Sequence, residues 1–242
     1  MDLENQRALV TGGTSGIGRA AALKLAEAGA EVIVAGRDAV RGAETVAAIE
    51  AEGGKASFVA ADLDDLESVA RLVEQAGEVD ILVNNAGIYR FAPTHETGVE
   101  EFDATFAINV RAPFFLTAAL APRMAARGGG SIVNLGTMVA HFGLPGAAAY
   151  GASKAAIVSL TRTWAAEYGP QGVRVNTVSA GPTRTEGTSG MGEDLDQLGQ
   201  TTPLGRTASP DEIAEAIVFL ASPRSSYVNG AVLAADGGRT AV

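Results

Sequence analysis

Two kinds of apolar stretch alternate along the whole chain. The first is short and nearly unbroken. It occurs at Ala8-Leu-Val-Thr11, within Gly29–Ala35, at Ser57-Phe-Val-Ala60, Val79-Asp-Ile-Leu-Val83, Ser131-Ile-Val-Asn-Leu135, Val173–Val178 and Ala231-Val-Leu-Ala-Ala235. Runs of this length and content predict strands, with Ala8–Thr11 and Gly29–Ala35 buried. The second kind is longer and helical in pattern. Arg19–Glu27 and Val40–Glu52 are followed by a helix opening after the acidic Asp62–Glu67. Val99–Ala126, Ala148–Tyr168 and Pro210–Leu220 complete the series. Strands alternating with helices predict one α/β domain over 1–242, a doubly wound parallel sheet of seven strands with helices on both faces. Ligands of such sheets sit at the carboxyl ends of the strands.

Prolines and glycines punctuate this pattern. Pro113 should kink or split the Val99–Ala126 helix, and Gly169-Pro170 should stop the one before it. The polar stretch Ala180–Ser209 holds eight Gly and Pro residues. A loop of that length is usually functional, and a substrate loop is expected around 181–208.

Composition narrows the function. With no cysteine, disulfides, a thiolate nucleophile and Cys-bound metal are excluded. His95 and His141 stand too far apart for a paired metal motif, so no metal site is expected. A net charge of −10 argues against nucleic acid and anionic membranes as partners. The opening residues lack an apolar signal core, and no apolar run looks long enough to span a membrane. The expectation is a cytoplasmic protein.

The candidate chemistry lies at strand ends. Thr11-Gly-Gly-Thr-Ser-Gly-Ile-Gly18 joins the first strand to the first helix, the context in which glycines let backbone N–H groups approach a dinucleotide's pyrophosphate. Its spacing, Gly12, Gly16 and Gly18, differs from the general Rossmann fingerprint. At the end of the second strand Gly36 stands where an acidic residue would hold a ribose 2′-hydroxyl, and Arg37 follows. A guanidinium grips a 2′-phosphate, so NADP is preferred over NAD. Asn84-Asn85 at the fourth strand end suits bracing of neighbouring strands and lining of a cofactor site. Asn109 precedes the Pro113 break, where a polar residue suits a bound water. In Tyr150-Gly-Ala-Ser-Lys154 the spacing of four places the two side chains one helical turn apart. A lysine ammonium pulls a phenol below its ordinary value of about 10, making Tyr150 a general acid or base.

Together these pieces resemble the short-chain dehydrogenase/reductase family. The resemblance rests on Thr11–Gly18, Asn84-Asn-Ala-Gly87, Asn109, Tyr150-x-x-x-Lys154, Val175-Asn-x-Val178 and Asp236-Gly-Gly238, in family order along nearly the whole chain. It implies a Rossmann-like fold and an NAD(P)-dependent oxidoreductase. Tyr150 would be the general acid of ketone reduction, with Lys154 lowering its pKa and holding the nicotinamide ribose. Asn109 would anchor a water in the proton relay. Gly12, Thr14, Ser15, Gly16, Ile17, Gly18, Asn85, Ala86, Gly87, Gly181 and Thr183 would line the cofactor. Asp62 and Leu63 would meet the adenine, and Thr185 the carboxamide. The family also implies a homotetramer.

Three departures from the family pattern matter. Thr137 replaces the usual serine thirteen residues before Tyr150, keeping the hydroxyl and adding a methyl. Ala180 replaces a proline. Gln171 and Gly128 stand where carrier-protein reductases of the family have docking arginines, although Arg127 adjoins Gly128. The expected activity is therefore NADP-dependent reduction of small apolar ketones, with Met138, Val139, Phe142, Met191 and Leu195 bordering the pocket. A 3-oxoacyl-acyl-carrier-protein reductase and a weakly catalytic cofactor-binding regulator are the alternatives.

Overall fold

The computed structural model describes residues 2–242. In chain order it contains β1 (Arg7–Thr11), α1 (Gly16–Glu27), β2 (Glu31–Gly36), α2 (Ala39–Ala51), β3 (Lys55–Ala60), α3 (Leu66–Ala76), β4 (Ile81–Asn84), α4 (Val99–Phe106) and α5 (Ala112–Ala126). There follow β5 (Gly130–Thr137), α6 (Ala148–Tyr168), β6 (Val173–Ala180), α7 (Glu193–Gln200), α8 (Pro210–Ala221) and β7 (Val232–Ala235). The sheet order is β3-β2-β1-β4-β5-β6-β7, and every pairing is parallel. This is the doubly wound single-domain arrangement the alternation predicts. The order reverses between β1 and β4, the point where such sheets open a ligand crevice.

Period-two alternation divides the core between the two faces. Ala8, Val10, Val32, Val34, Ile81 and Val83 face the layer built on α1 and α8. Leu9, Ile33, Leu82 and Ile132 face the layer of α3, α5 and α6. Helix starts follow local chemistry. Asp65 accepts hydrogen bonds from the Glu67 and Ser68 N–H groups, so part of the Asp62–Glu67 acid run does open a helix. Ser209 and Glu212 form a reciprocal capping box on α8.

Four details differ from the sequence expectation. Pro113 does not break the long helix. It occupies the first turn of α5, where a missing N–H is harmless. The interruption comes earlier, as a π turn over Ala107–Arg111 that contains Asn109. Gly169 is helical, and the left-handed residue that ends this segment is Gly172, at φ 85°. The 181–208 stretch is not all loop, because α7 buries Leu195. Finally, Val99–Ala126 taken as one run is long and apolar enough, by length and composition, to cross a membrane, with half of that window buried. Ala112, Leu116, Leu120 and Met124 belong to the core, so the apolar content serves the packing of this domain.

Candidate active site

A cleft of ≈ 430 Å³ runs along the carboxyl ends of the strands, lined from Gly12 to Leu198. At its centre lies the glycine turn. Gly12 and Gly16 have φ +63° and +51°, the left-handed region that favours glycine. A Cβ on Gly18 would stand 2.2 Å from the Gly12 carbonyl oxygen, so only glycine lets α1 start this close to β1. The Ser15 side chain makes no capping bond to α1. The Asp38 side chain does cap α2. The turn and the helix start thus present backbone N–H groups to an anion, a fit for a dinucleotide diphosphate. The Gly16 N–H donates to the Glu186 carboxylate at 2.9 Å.

Arg37, Arg41, Asp62 and Leu63 line one end of the cleft. Asp38 holds Arg41 through Oδ2 at 2.7 Å, whereas Arg37 is exposed. Position 36 is closed to a side chain, since a Cβ there would lie 2.7 Å from Thr14 Cγ2. Asn85 ties β4 to β1, donating from Nδ2 to the carbonyls of Thr11 at 2.8 Å and Gly12 at 3.3 Å. Asn84 ties β4 to β5, donating to Asn134 Oδ1 at 2.9 Å. The paired asparagines therefore brace both sides of the crevice.

Beside them stand Thr137, Tyr150 and Lys154, all lining the cleft. Thr137 ends β5, and its hydroxyl accepts from the Val139 N–H at 3.4 Å. Lys154 Nζ donates to the Leu135 carbonyl at 2.8 Å. A Cβ on Gly87 would come within 3.3 Å of that Nζ, so glycine keeps the amine accessible from the cleft. The titration pattern corrects the sequence expectation. Burial pushes the Tyr150 phenol up to about 12, a hydrogen bond with Thr137 opposes it, and Tyr89 adds to it. Burial also draws Lys154 down to about 8. Desolvation thus dominates both groups, and Lys154 is not among the causes of the Tyr150 shift.

Asn109 stands behind the wall, 1 % exposed. Its Nδ2 donates to the Ile88 carbonyl at 2.8 Å and to Ser153 Oγ at 3.0 Å. Its Oδ1 accepts from the Ile88 N–H at 2.9 Å. Both amide N–H bonds are therefore spent on protein, and the side chain clamps the Ile88 backbone to Ser153. Ser153 Oγ in turn donates to the Tyr150 carbonyl at 2.7 Å, linking the clamp to the helix that carries Tyr150.

Known proteins resemble this chain over nearly its whole length. A family model described as "Enoyl-(Acyl carrier protein) reductase" matches residues 12–240. A solved short chain dehydrogenase/reductase family protein superposes with a TM-score of 0.95 at 56% identity, covering 100% of both chains. The chain belongs to the short-chain dehydrogenase/reductase family. Gluconate 5-dehydrogenase of Gluconobacter oxydans (strain 621H) is 41% identical over 245 residues, 98% of this chain and 96% of its own. A blue fluorescent protein from a metagenomic library, solved in complex with NADPH, has a TM-score of 0.92 at 36% identity, with 99% of each chain covered. As a member of this family the protein is an NAD(P)-dependent oxidoreductase acting on CH–OH groups.

Within the short-chain dehydrogenase/reductase frame, the second half of the cleft is apolar. Met138, Val139, Met191 and Leu195 line it as expected, but Phe142 does not. Its ring lies under the Arg239 guanidinium, 4.7 Å away, as a cation–π partner. Sequence reasoning missed Ile88, Tyr89, Phe91 and Leu144, which also line the cleft. Tyr89 and Phe91 pack edge-on to the Tyr150 ring at 6.1 and 6.2 Å between centroids. Their signal was weak: two aromatics just beyond Asn84-Asn-Ala-Gly87, on a loop with no periodicity. Ser153 was legible inside the Tyr150–Lys154 segment, though its role was not.

Proposed function

We propose that the protein is an NADP-dependent carbonyl reductase or alcohol dehydrogenase for small apolar ketones and secondary alcohols. The observation that carries this reading is the substrate half of the cleft. Ile88, Tyr89, Phe91, Val139, Leu144 and Met191 surround the space before Tyr150, and among the described residues lining the cleft Lys154 is the one cation beyond the Arg37–Arg41 end. A sugar acid such as gluconate would find there only Lys154, which the nicotinamide ribose would engage.

The glycine turn and the start of α1 would hold the cofactor diphosphate, Arg37 the 2′-phosphate, and Asp62 and Leu63 the adenine. Lys154 would hold the nicotinamide ribose, and Thr185 the carboxamide. When bound, the nicotinamide supplies or accepts the hydride. In reduction Tyr150 donates its phenolic proton to the substrate oxygen. The phenol carries its proton at neutral pH, and the Thr137 hydrogen bond acts against burial by lowering its pKa, the direction that makes a better proton donor. Thr137, bonded to Tyr150, supplies a second hydrogen bond to the same oxygen, where negative charge develops. Ser153 positions Tyr150 through its carbonyl, and Asn109 holds Ser153 against the Ile88 backbone.

Carrier-protein chemistry is the second reading, favoured by the description of the matching family model. Against it, Arg127 is committed to the Val79 carbonyl at 2.6 Å and to Asp80 at 3.1 Å, and Gln171 donates to the Glu167 carbonyl. Exposed Phe102, Phe114 and Phe115 on α4 and α5 support a homotetramer, and the lack of cysteine suits a cytoplasmic location. NADPH oxidation measured with a panel of cyclic and linear ketones, a sugar-acid ketone and a carrier-bound β-ketoacyl substrate tests the reading. Faster turnover of the carrier-bound substrate would overturn it, and no turnover of any would leave a cofactor-binding regulator.

A further inference from the structure

Glu186 follows Thr185 on the substrate segment, and its carboxylate reaches across to the glycine turn. Its Oε2 accepts from the Gly16 N–H at 2.9 Å. That N–H belongs to the first residue of α1, whose own Ser15 provides no side-chain cap. A second contact brings the same segment down on the same spot, because a Cβ at Gly16 would meet Thr185 Cβ and Cγ2 at 3.2 Å. A carboxylate and a phosphate ask the same thing of a helix start, an N–H donor in a positive field. One Gly16 N–H does not serve both fully.

We infer that Glu186 is an internal competitor for the cofactor diphosphate. Without cofactor it holds the anion site and ties the substrate segment to it; cofactor binding displaces its carboxylate and leaves the segment to the cofactor through Thr185. The inference rests on the cofactor assignment proposed above. The segment is built to respond as a unit. The Thr185 N–H donates to Thr188 Oγ1 at 2.9 Å, Thr188 Oγ1 donates to the Thr183 carbonyl at 2.9 Å, and Ser189 Oγ donates to the Glu186 carbonyl at 2.7 Å. These bonds close a turn on itself, so its attachment to α1 runs through Glu186 and the packing of Thr185. The ion pair of Arg184 with Asp196 joins the turn to α7. Binding at the diphosphate site is thereby coupled to the wall of the substrate pocket, since Met191 and Leu195 lie just beyond.

The test uses the full chain. NADPH dissociation constants are read by the fluorescence of the bound cofactor, and hydrogen exchange is followed over residues 183–192 with and without NADPH. Glu186→Ala should bind NADPH about two- to five-fold more tightly, the range of an exposed charge at a helix start. Without cofactor its 183–192 segment should exchange faster than in the parent; with saturating NADPH the two should match. Glu186→Asp keeps the charge but falls one methylene short of Gly16, and should behave like Glu186→Ala. Unchanged or weaker NADPH binding in Glu186→Ala overturns the inference. So does parental behaviour of Glu186→Asp, which would reduce the effect to general repulsion. So does equal exchange in the cofactor-free proteins. Failure of the parent to bind either nicotinamide dinucleotide would instead remove the cofactor reading.

Discussion

Removing the Thr137 hydroxyl while keeping its shape is the sharpest perturbation the active site offers. Thr137 is 7 % exposed and ends β5 in extended backbone, φ −151° and ψ 153°. Valine fits that conformation and volume. The substitution leaves the Val139 N–H without an acceptor that stood 3.4 Å away, a weak bond whose loss matters little. It also removes the one group that holds the Tyr150 phenol down. Loss of one hydrogen-bond donor to a developing oxyanion lowers kcat by about 10²–10³-fold, roughly 2.7–4 kcal/mol. Thr137→Val should therefore lose at least a hundredfold in kcat/KM for NADPH-dependent reduction of a small ketone, with the dissociation constant for NADPH unchanged. Thr137→Ser keeps the donor and vacates a methyl, so it should stay active and gain on bulkier ketones. Thr137→Ala should fall with Thr137→Val despite its extra room. Steady-state kinetics on a ketone size series separates the two contributions. If Thr137→Val reduces ketones as fast as the parent, the residue only packs, and the reasoning about charge at the substrate oxygen is wrong.

Four more outcomes follow from the same geometry. Tyr150→Phe keeps the ring and removes the proton, so turnover should drop by about 10²–10⁴-fold while NADPH still binds; retention of most activity would exclude Tyr150 as the acid. Arg37→Gln should raise KM for NADPH and leave KM for NADH nearly unchanged, whereas equal effects on both would remove Arg37 from the 2′-phosphate. Gly36→Asp should favour NADH only when Thr14 is also shortened, because its Cβ would sit 2.7 Å from Thr14 Cγ2. Lys154 is held at about 8 in the fold against 10.5 free. The unfolded chain then binds more protons between those values, so stability rises with pH across that window and a penalty of roughly 3 kcal/mol is complete below it. Lys154→Met should gain stability relative to the parent on going from pH 10.5 down to pH 7, read from urea midpoints. A pH-independent difference would mean the amine carries no such penalty.

The architecture was legible because strands buried on both faces have no polar side to hide, and their runs stood out at Ala8–Thr11 and Val79–Val83. The glycine turn, Asn85, Thr137 and Lys154 were legible because close approach and proton chemistry restrict residue type. Less visible was whatever depends on three-dimensional neighbours. Asn109 was marked, but its commitment to Ile88 and Ser153 follows from a π turn that no hydrophobic pattern announces. The direction of the Tyr150 shift was missed because spacing reports a nearby amine and not the loss of water around both groups. Tyr89 and Phe91 lie on an irregular loop, where periodicity gives no information.

The π turn also bears on which length changes the chain tolerates. Such a turn is what an α-helix becomes when it absorbs one additional residue without shifting the turns on either side. Deleting one residue within Ala107–Arg111 would restore regular winding, but each residue of an α-helix advances by about 100° around its axis. The stretch before the deletion would turn by that angle against α5, and the Asn109 amide would leave Ile88 and Ser153 together. Length variation among descendants of this sequence should thus spare 107–111 and fall in exposed loop tips such as the Glu52-Gly53 turn, and a library of single-residue deletions scored for folding and ketone reduction would map the boundary.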